Sequence, residues 1–122
     1  MNGFNILADT SLLINFFNGY RTARDILEEE QIWLSCITEI ELLWFPSLSE
    51  YDANLIKSFL SDCVMIELSK PIREQSIVFK KQHKLKTPDA IIAATAYHLD
   101  FPLVTMDSDF KKVTEIKAMI VE

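Results

Sequence analysis

The chain has 122 residues, of which 49% are hydrophobic, with only 2 Gly and 4 Pro. That is enough for one domain with a substantial core, and it leaves no room for long linkers. A net charge of −6 argues against a broad basic face for gripping nucleic acid, and fits either acids gathered around a metal or a basic partner.

The first apolar run, Phe4-Asn5-Ile6-Leu7-Ala8, reads as a buried parallel strand that stops at Asp9. Residues 1–5 show no basic region ahead of an apolar stretch, so no signal peptide is expected. Thr10 and Ser11 can cap a helix carrying Leu12, Leu13, Ile14, Phe16 and Phe17, which ends near Asn18-Gly19. Residues 20–30 place Ala23, Ile26 and Leu27 at helical spacing among charges, the mark of an amphipathic helix. Residues 31–35 read as a second strand. Thr38 can cap a third helix, with Ile40, Leu42, Leu43, Trp44 and Phe45, stopped by Pro46. Ser49 can cap a fourth, with Asp52 three residues on and Ala53, Leu55, Ile56, Phe59 and Leu60 apolar. Residues 64–68 read as a third strand. Pro71 opens a fifth helix to about His83, with Ile72, Ile77, Val78 and Phe79 facing inward. Thr87 is the expected N-cap of the sixth, Pro88 its first helical residue, and Asp89 a first-turn acid matched to the helix dipole. Behind Asp89, the residues Ala90, Ile91, Ile92, Ala93, Ala94 and Ala96 are small enough to pack closely on a sheet. Residues 102–105 read as a fourth strand followed by Asp107 and Asp109, and residues 116–121 contain a short final strand.

Strands alternating with helices imply right-handed crossovers. The expected fold is α/β, a central parallel sheet of four to five strands covered on both faces, in a single domain over residues 1–122. No run approaches the roughly 18 apolar residues of a membrane span. Cys36 and Cys63 lack metal-ligand spacing and are expected as buried free thiols of a cytoplasmic protein, with their pairing in a disulfide left open by the sequence.

In an open α/β sheet, ligands bind beyond the carboxyl ends of the strands where strand order reverses. Asp9, Asp107 and Asp109 follow strands. Glu41 lies one turn into the helix after the second strand, and Asp89 opens the sixth helix. All can point at one edge. Gathered carboxylates repel one another unless a cation neutralises them, and an all-oxygen donor set suits Mg²⁺ or Mn²⁺. Such an ion, held by carboxylates, is common equipment for hydrolysing phosphodiesters.

Four stretches carry a family resemblance. They are Leu7-Ala8-Asp9-Thr10-Ser11, Ser35-Cys36-Ile37-Thr38-Glu39-Ile40-Glu41-Leu42, Pro88-Asp89-Ala90-Ile91-Ile92-Ala93-Ala94-Thr95-Ala96 and Leu103-Val104-Thr105-Met106-Asp107-Ser108-Asp109-Phe110. In order and spacing they resemble the blocks of PIN domains, most closely VapC-type toxins of bacterial toxin–antitoxin systems. The resemblance implies a three-layer α/β/α sandwich and a metal-dependent endoribonuclease. By position it carries Asp9, Glu41, Asp89 and Asp107 over as the catalytic acids. Asp9, Asp89 and Asp107 would be metal ligands, with Asp109 a neighbouring or alternate one, and Thr10 and Thr105 supporting hydroxyls. It also implies an antitoxin that wraps the toxin and presents a basic side chain to the acids, and homodimers are common in the family. Two features depart from it: Leu43-Trp44-Phe45-Pro46 stands where many relatives have a glycine after Glu-Leu, and the chain is slightly short.

Each acid also has a plain structural reading: helix cap for Asp9, solvated helix acid for Glu41, dipole partner for Asp89, turn former for Asp107 and Asp109. Lys80, Lys81, Lys84 and Lys86, with His83, form the one basic cluster. It could dock RNA phosphates or simply match the helix dipole. Arg21 and Arg24 are a weaker second candidate. Leu42, Leu43, Trp44 and Phe45, with Phe16, Phe17 and Tyr20, exceed one buried face and could leave a groove for a partner. Two rivals remain open. A catalytically inactive PIN-like module would bind RNA or protein without cutting. A receiver-like phospho-acceptor domain needs an acid after the third strand, where this chain has Leu68-Ser69-Lys70.

Overall fold

The computed structural model describes residues 3–122; residues 1 and 2, part of the stretch read above for a signal peptide, lie outside the described residues. The elements in chain order are β1 (Asn5–Ala8), α1 (Thr10–Phe17), α2 (Arg21–Glu29), β2 (Gln31–Ser35), α3 (Cys36–Leu43), α4 (Glu50–Ser61), β3 (Val64–Ile66), α5 (Lys70–His83), α6 (Thr87–Leu99), β4 (Leu103–Thr105), a 3-10 helix (Ser108–Lys112) and β5 (Ala118–Ile120). The strands form one sheet of order β3-β2-β1-β4-β5, every pairing parallel. The chain builds outward from β1 to β3, then returns to the other side of β1 for β4 and β5. The order reverses between β1 and β4, where Leu7 pairs with Leu103 and Ala8 with Val104.

Strand alternation divides the core into two layers. Leu7 and Leu103 face α5 and α6, in a cluster with Ile72, Phe79, Ile92 and Phe110. Ile6, Ala8 and Val104 point the other way, packing with Leu12, Leu13, Leu27, Leu42 and Ile56 from the first four helices. This is the expected α/β/α sandwich. Every residue from Ala90 to Ala96 is buried, so α6 is packed all round, which its small side chains permit.

Several local expectations are corrected. In α5 only Ile72, Ser76 and Phe79 are buried, while Ile77 and Val78 are 56% and 43% exposed. At about 100° per residue they fall roughly 140° and 240° around the helix from Ile72, off the buried face. Leu55 is likewise exposed on α4. The caps shift too. Asp9 rather than Thr10 or Ser11 caps α1, Ser35 rather than Thr38 caps α3, and Lys86 precedes α6 with no side-chain cap. The first turn of α6 closes instead through the Lys86 carbonyl, which accepts from Ala90 N at 2.9 Å. Ser49 caps α4 as expected, accepting from Asp52 N at 3.0 Å. Cys36 and Cys63 are free and only partly buried. Glu67 and Leu68 lie beyond the end of β3. Among the described residues no helix is long and apolar enough to cross a membrane.

Candidate active site

β1 runs straight into Asp9, whose buried carboxylate caps α1 by accepting from Leu12 N at 3.0 Å. Two more donors converge on it. The Ser11 hydroxyl lies 2.9 and 2.8 Å from its two oxygens, and the Thr105 hydroxyl donates to Oδ2. The same two hydroxyls hold the chain leaving β4: Met106 N donates to Ser11 Oγ at 3.1 Å and Asp107 N to Thr105 Oγ1 at 2.9 Å. Asp107 is thereby tied to Asp9 through two side chains. Its own carboxylate caps the 3-10 helix, accepting from Asp109 N at 2.9 Å. On the other flank, Ser35 caps α3 as β2 ends, and six residues later Glu41 meets Thr10, whose hydroxyl donates to Oε1 at 2.6 Å. Asp89 enters from the first turn of α6.

The charges of three of these acids reach Asp89. Burial raises the Asp89 carboxyl to about 6, and the charges of Asp107, Glu41 and Asp9 push it the same way, while Lys86 pulls it down. Burial also raises Asp9. Its hydrogen bonds from Thr105, Leu12 and Ser11 act against that, and Asp107 adds to it. The structure therefore brings Asp9, Glu41, Asp89 and Asp107 to one edge, at the point where strand order reverses. Asp109 is exposed and its charge is not among those acting on Asp9 or Asp89. The acids stop short of contact. Among the described residues no three His, Cys, Asp or Glu side chains converge as a ready-made ligand set.

An all-oxygen donor set has the chemistry a hard divalent cation requires. Burial first, and then the charges of Asp107, Glu41 and Asp9, hold the Asp89 carboxyl high. The Thr10 hydroxyl donates to Glu41 and the Thr105 hydroxyl to Asp9. Lys80, Lys81 and Lys84 are exposed around the end of α5, where Lys80 Nζ donates to the Leu85 carbonyl at 3.0 Å, and exposed Lys86 stands at the mouth of α6. His83 is occupied by Glu115 at 3.0 Å.

Two sets of residues are not visible as site residues in the sequence. Ser11 and Thr38 have the pattern of caps, yet both hydroxyls join the site's network once Asp9 and Ser35 take the capping roles. Lys111 and Lys112, just after Asp109, extend the cations to the Asp107 side. Their proximity to two acids in sequence is the available signal.

A cleft of about 230 Å³ is lined by Ile14, Phe17, Leu42, Phe45, Leu55 and Ile56 among others. Trp44 and Phe45 stack on one another and are exposed, whereas Phe16 and Phe17 pack against Phe59.

Comparison with curated proteins by sequence finds no match. Solved structures do match. A chain of a toxin–antitoxin complex from Klebsiella pneumoniae superposes with a TM-score of 0.81 at 33% identity, covering 91% of this chain and 94% of that one. DNA-bound VapBC from Salmonella typhimurium gives 0.80 at 17% identity, with 98% of each chain covered. VapBC-1 from nontypeable Haemophilus influenzae gives 0.78 at 18% identity, covering 95% and 97%. The last two likenesses are of fold. The PIN domain family matches residues 6–116, a span that holds Asp9, Glu41, Asp89 and Asp107 together with the strands that bring them to one edge, and the chain belongs to that family.

Proposed function

We propose that this protein is a metal-dependent endoribonuclease, the toxin of a type II toxin–antitoxin pair, using Mg²⁺ or Mn²⁺ and acting as a single domain in the cytoplasm. The observation that carries the reading is the convergence of four carboxylates from four separated segments at the sheet's switch point, where the charges of Asp107, Glu41 and Asp9 all reach Asp89. Repulsion of that kind persists in a fold when a ligand relieves it. Likeness to a chain of a toxin–antitoxin complex supports the toxin assignment.

Asp9, Asp89 and Asp107 would hold the cation, with Asp109 as an outer or alternate ligand. When bound, the cation supplies positive charge that favours ionisation of the attacking water and offsets charge on the phosphate oxygens. Ser11 and Thr105 fix the orientation of Asp9 and place Asp107 beside it. Thr10 fixes Glu41, which faces the same charge cluster and orients the reacting groups. Lys80, Lys81, Lys84 and Lys86 would bind RNA phosphates on the α6 side of the acids. In hydrolysis the water oxygen forms a bond to phosphorus as the opposite P–O bond breaks, and RNA backbone runs past both flanks.

The antitoxin would occupy the apolar cleft of α1, α3 and α4 and present a cation to the acids, and a homodimer is compatible with the remaining surface. The test is cleavage of labelled total RNA with Mg²⁺, with Mn²⁺ and with chelator, for wild type and Asp9→Asn. Discrete, metal-dependent fragments absent in the mutant are expected. Identical patterns in every condition across a broad RNA panel would favour the inactive binding module instead.

A further inference from the structure

Thr10 Oγ1 lies 2.6 Å from Glu41 Oε1 and 3.1 Å from Thr38 Oγ1. A hydroxyl has one proton, and an ionised carboxylate can only accept. The Thr10 proton therefore belongs to Glu41, and the short distance fits a charge-assisted bond. The Thr10 oxygen can then meet Thr38 only as an acceptor, so Thr38 is the donor. Thr38 has no alternative in solvent, because its exposure is 0%. Nor does its own helix claim it. Thr95 and Ser76, deeper in α6 and α5, donate to the carbonyls of Ile91 and Ile72 at 2.7 Å. Thr38 is the third residue of α3, and four residues back lies Leu34 in β2 rather than a preceding helical turn.

We propose that Thr38 is a positioning residue for Glu41. Its donated hydrogen bond orients the Thr10 hydroxyl, and that hydroxyl holds the Glu41 carboxylate in one rotamer among the other acids. The chain of donors runs in a single direction, Thr38 to Thr10 to Glu41. It is complete without any cation, so Glu41 is oriented before a ligand arrives. The proposal rests on the reading of Glu41 as part of the nuclease site.

The experiment compares wild type, Thr38→Val and Thr38→Ser. Three quantities are measured: the Glu41 side-chain rotamer from NMR couplings in cation-free protein, Mn²⁺ affinity by calorimetry, and kcat and KM on RNA. Wild type and Thr38→Ser are expected to show one Glu41 rotamer. Thr38→Val is expected to show an averaged one, with kcat lower by about 10–100-fold and Mn²⁺ affinity within about 2-fold, because Glu41 orients the reacting groups while Asp9, Asp89 and Asp107 hold the cation. KM for RNA stays within about 2-fold, because Thr38 is buried away from the substrate. A folded Thr38→Val with a single Glu41 rotamer and unchanged kcat overturns the proposal. If the valine variant does not fold, Thr38→Ala repeats the test with the same two outcomes. If wild type neither binds Mn²⁺ nor cuts RNA, the nuclease reading fails separately, and the Glu41 rotamer alone decides the role of Thr38.

Discussion

Asp9 and Asp89 are both buried enough to resist ionisation, but they differ in support. Asp9 accepts from Ser11, Leu12 and Thr105; among the described residues no hydrogen bond reaches the Asp89 carboxylate. Against its burial Asp89 thus has only the charge of Lys86. Its folded carboxyl titrates near 6 against an ordinary 3.8, so the native state binds more protons than the unfolded state between those values. Stability of the cation-free protein then falls as pH rises through that window. Asp89 is half open to solvent, and after allowance for screening the penalty at pH 7 is about 1 kcal/mol. Asp89→Asn is expected to raise the melting temperature of cation-free protein at pH 7 by about 3–5 °C and to leave it unchanged at pH 4. Scanning calorimetry at both pH values checks this. For Asp9 the choice of substitution matters. Asn keeps a cap acceptor for Leu12 N, whereas Ala leaves three donors without their partner and is expected to cost about 1–3 kcal/mol in a denaturation curve. The pairing of Asp9 with the β4 exit is not legible in the sequence, because Ser11 and Thr105 are distant along the chain and each has an ordinary local role available.

The helices carry the acids, and their local chemistry is only partly readable from sequence. The small-residue run of α6 announces close packing. Ala93 and Ala94 are 0% exposed, so Ala94→Leu is expected to cost about 1–3 kcal/mol by overpacking, measured as a lower denaturant midpoint with unchanged slope. Caps are harder to read. Where Asp-Thr-Ser or Ser-Cys-Ile-Thr offers several polar residues, pattern alone does not say which one leaves the strand. The structure gives the role to Asp9 and Ser35, the residues at the strand ends, and this frees Thr10, Ser11 and Thr38 for the site. Ser35→Ala is expected to destabilise by about 1 kcal/mol and, by loosening the start of α3, to lower the order of Glu41, visible in side-chain relaxation. The inward reading of Ile77 and Val78 fails because a run of consecutive apolar residues turns most of the way around a helix, and burial of Ile72 and Phe79 fixes which side faces the sheet.

For the molecule as a whole, the alternation of strands and helices is enough to read a parallel sheet with acids at one edge. Order β3-β2-β1-β4-β5 then explains why residues from four parts of the chain meet there. What sequence does not supply is the mutual spacing of those acids, which depends on how α3 and α6 are set against β1 and β4. The charge of −6 makes the exposed lysines informative. Lys84 and Lys86 lead into Asp89, and Lys111 and Lys112 follow Asp109. Replacing Lys84 and Lys86 by Ala is expected to weaken RNA binding. It should also lower the slope of log affinity against log salt by about 0.7 for each phosphate that is no longer neutralised, as a salt titration would show. If Asp9, Asp89 and Asp107, with Glu41 beside them, form a site for a hard divalent cation, anomalous diffraction from Mn²⁺-soaked crystals should locate it. One strong peak is expected within bonding distance of the Asp9, Asp89 and Asp107 carboxylates. Soaked crystals with no peak there, or with Mn²⁺ only at the exposed pair Glu28-Glu29, would rule this site out.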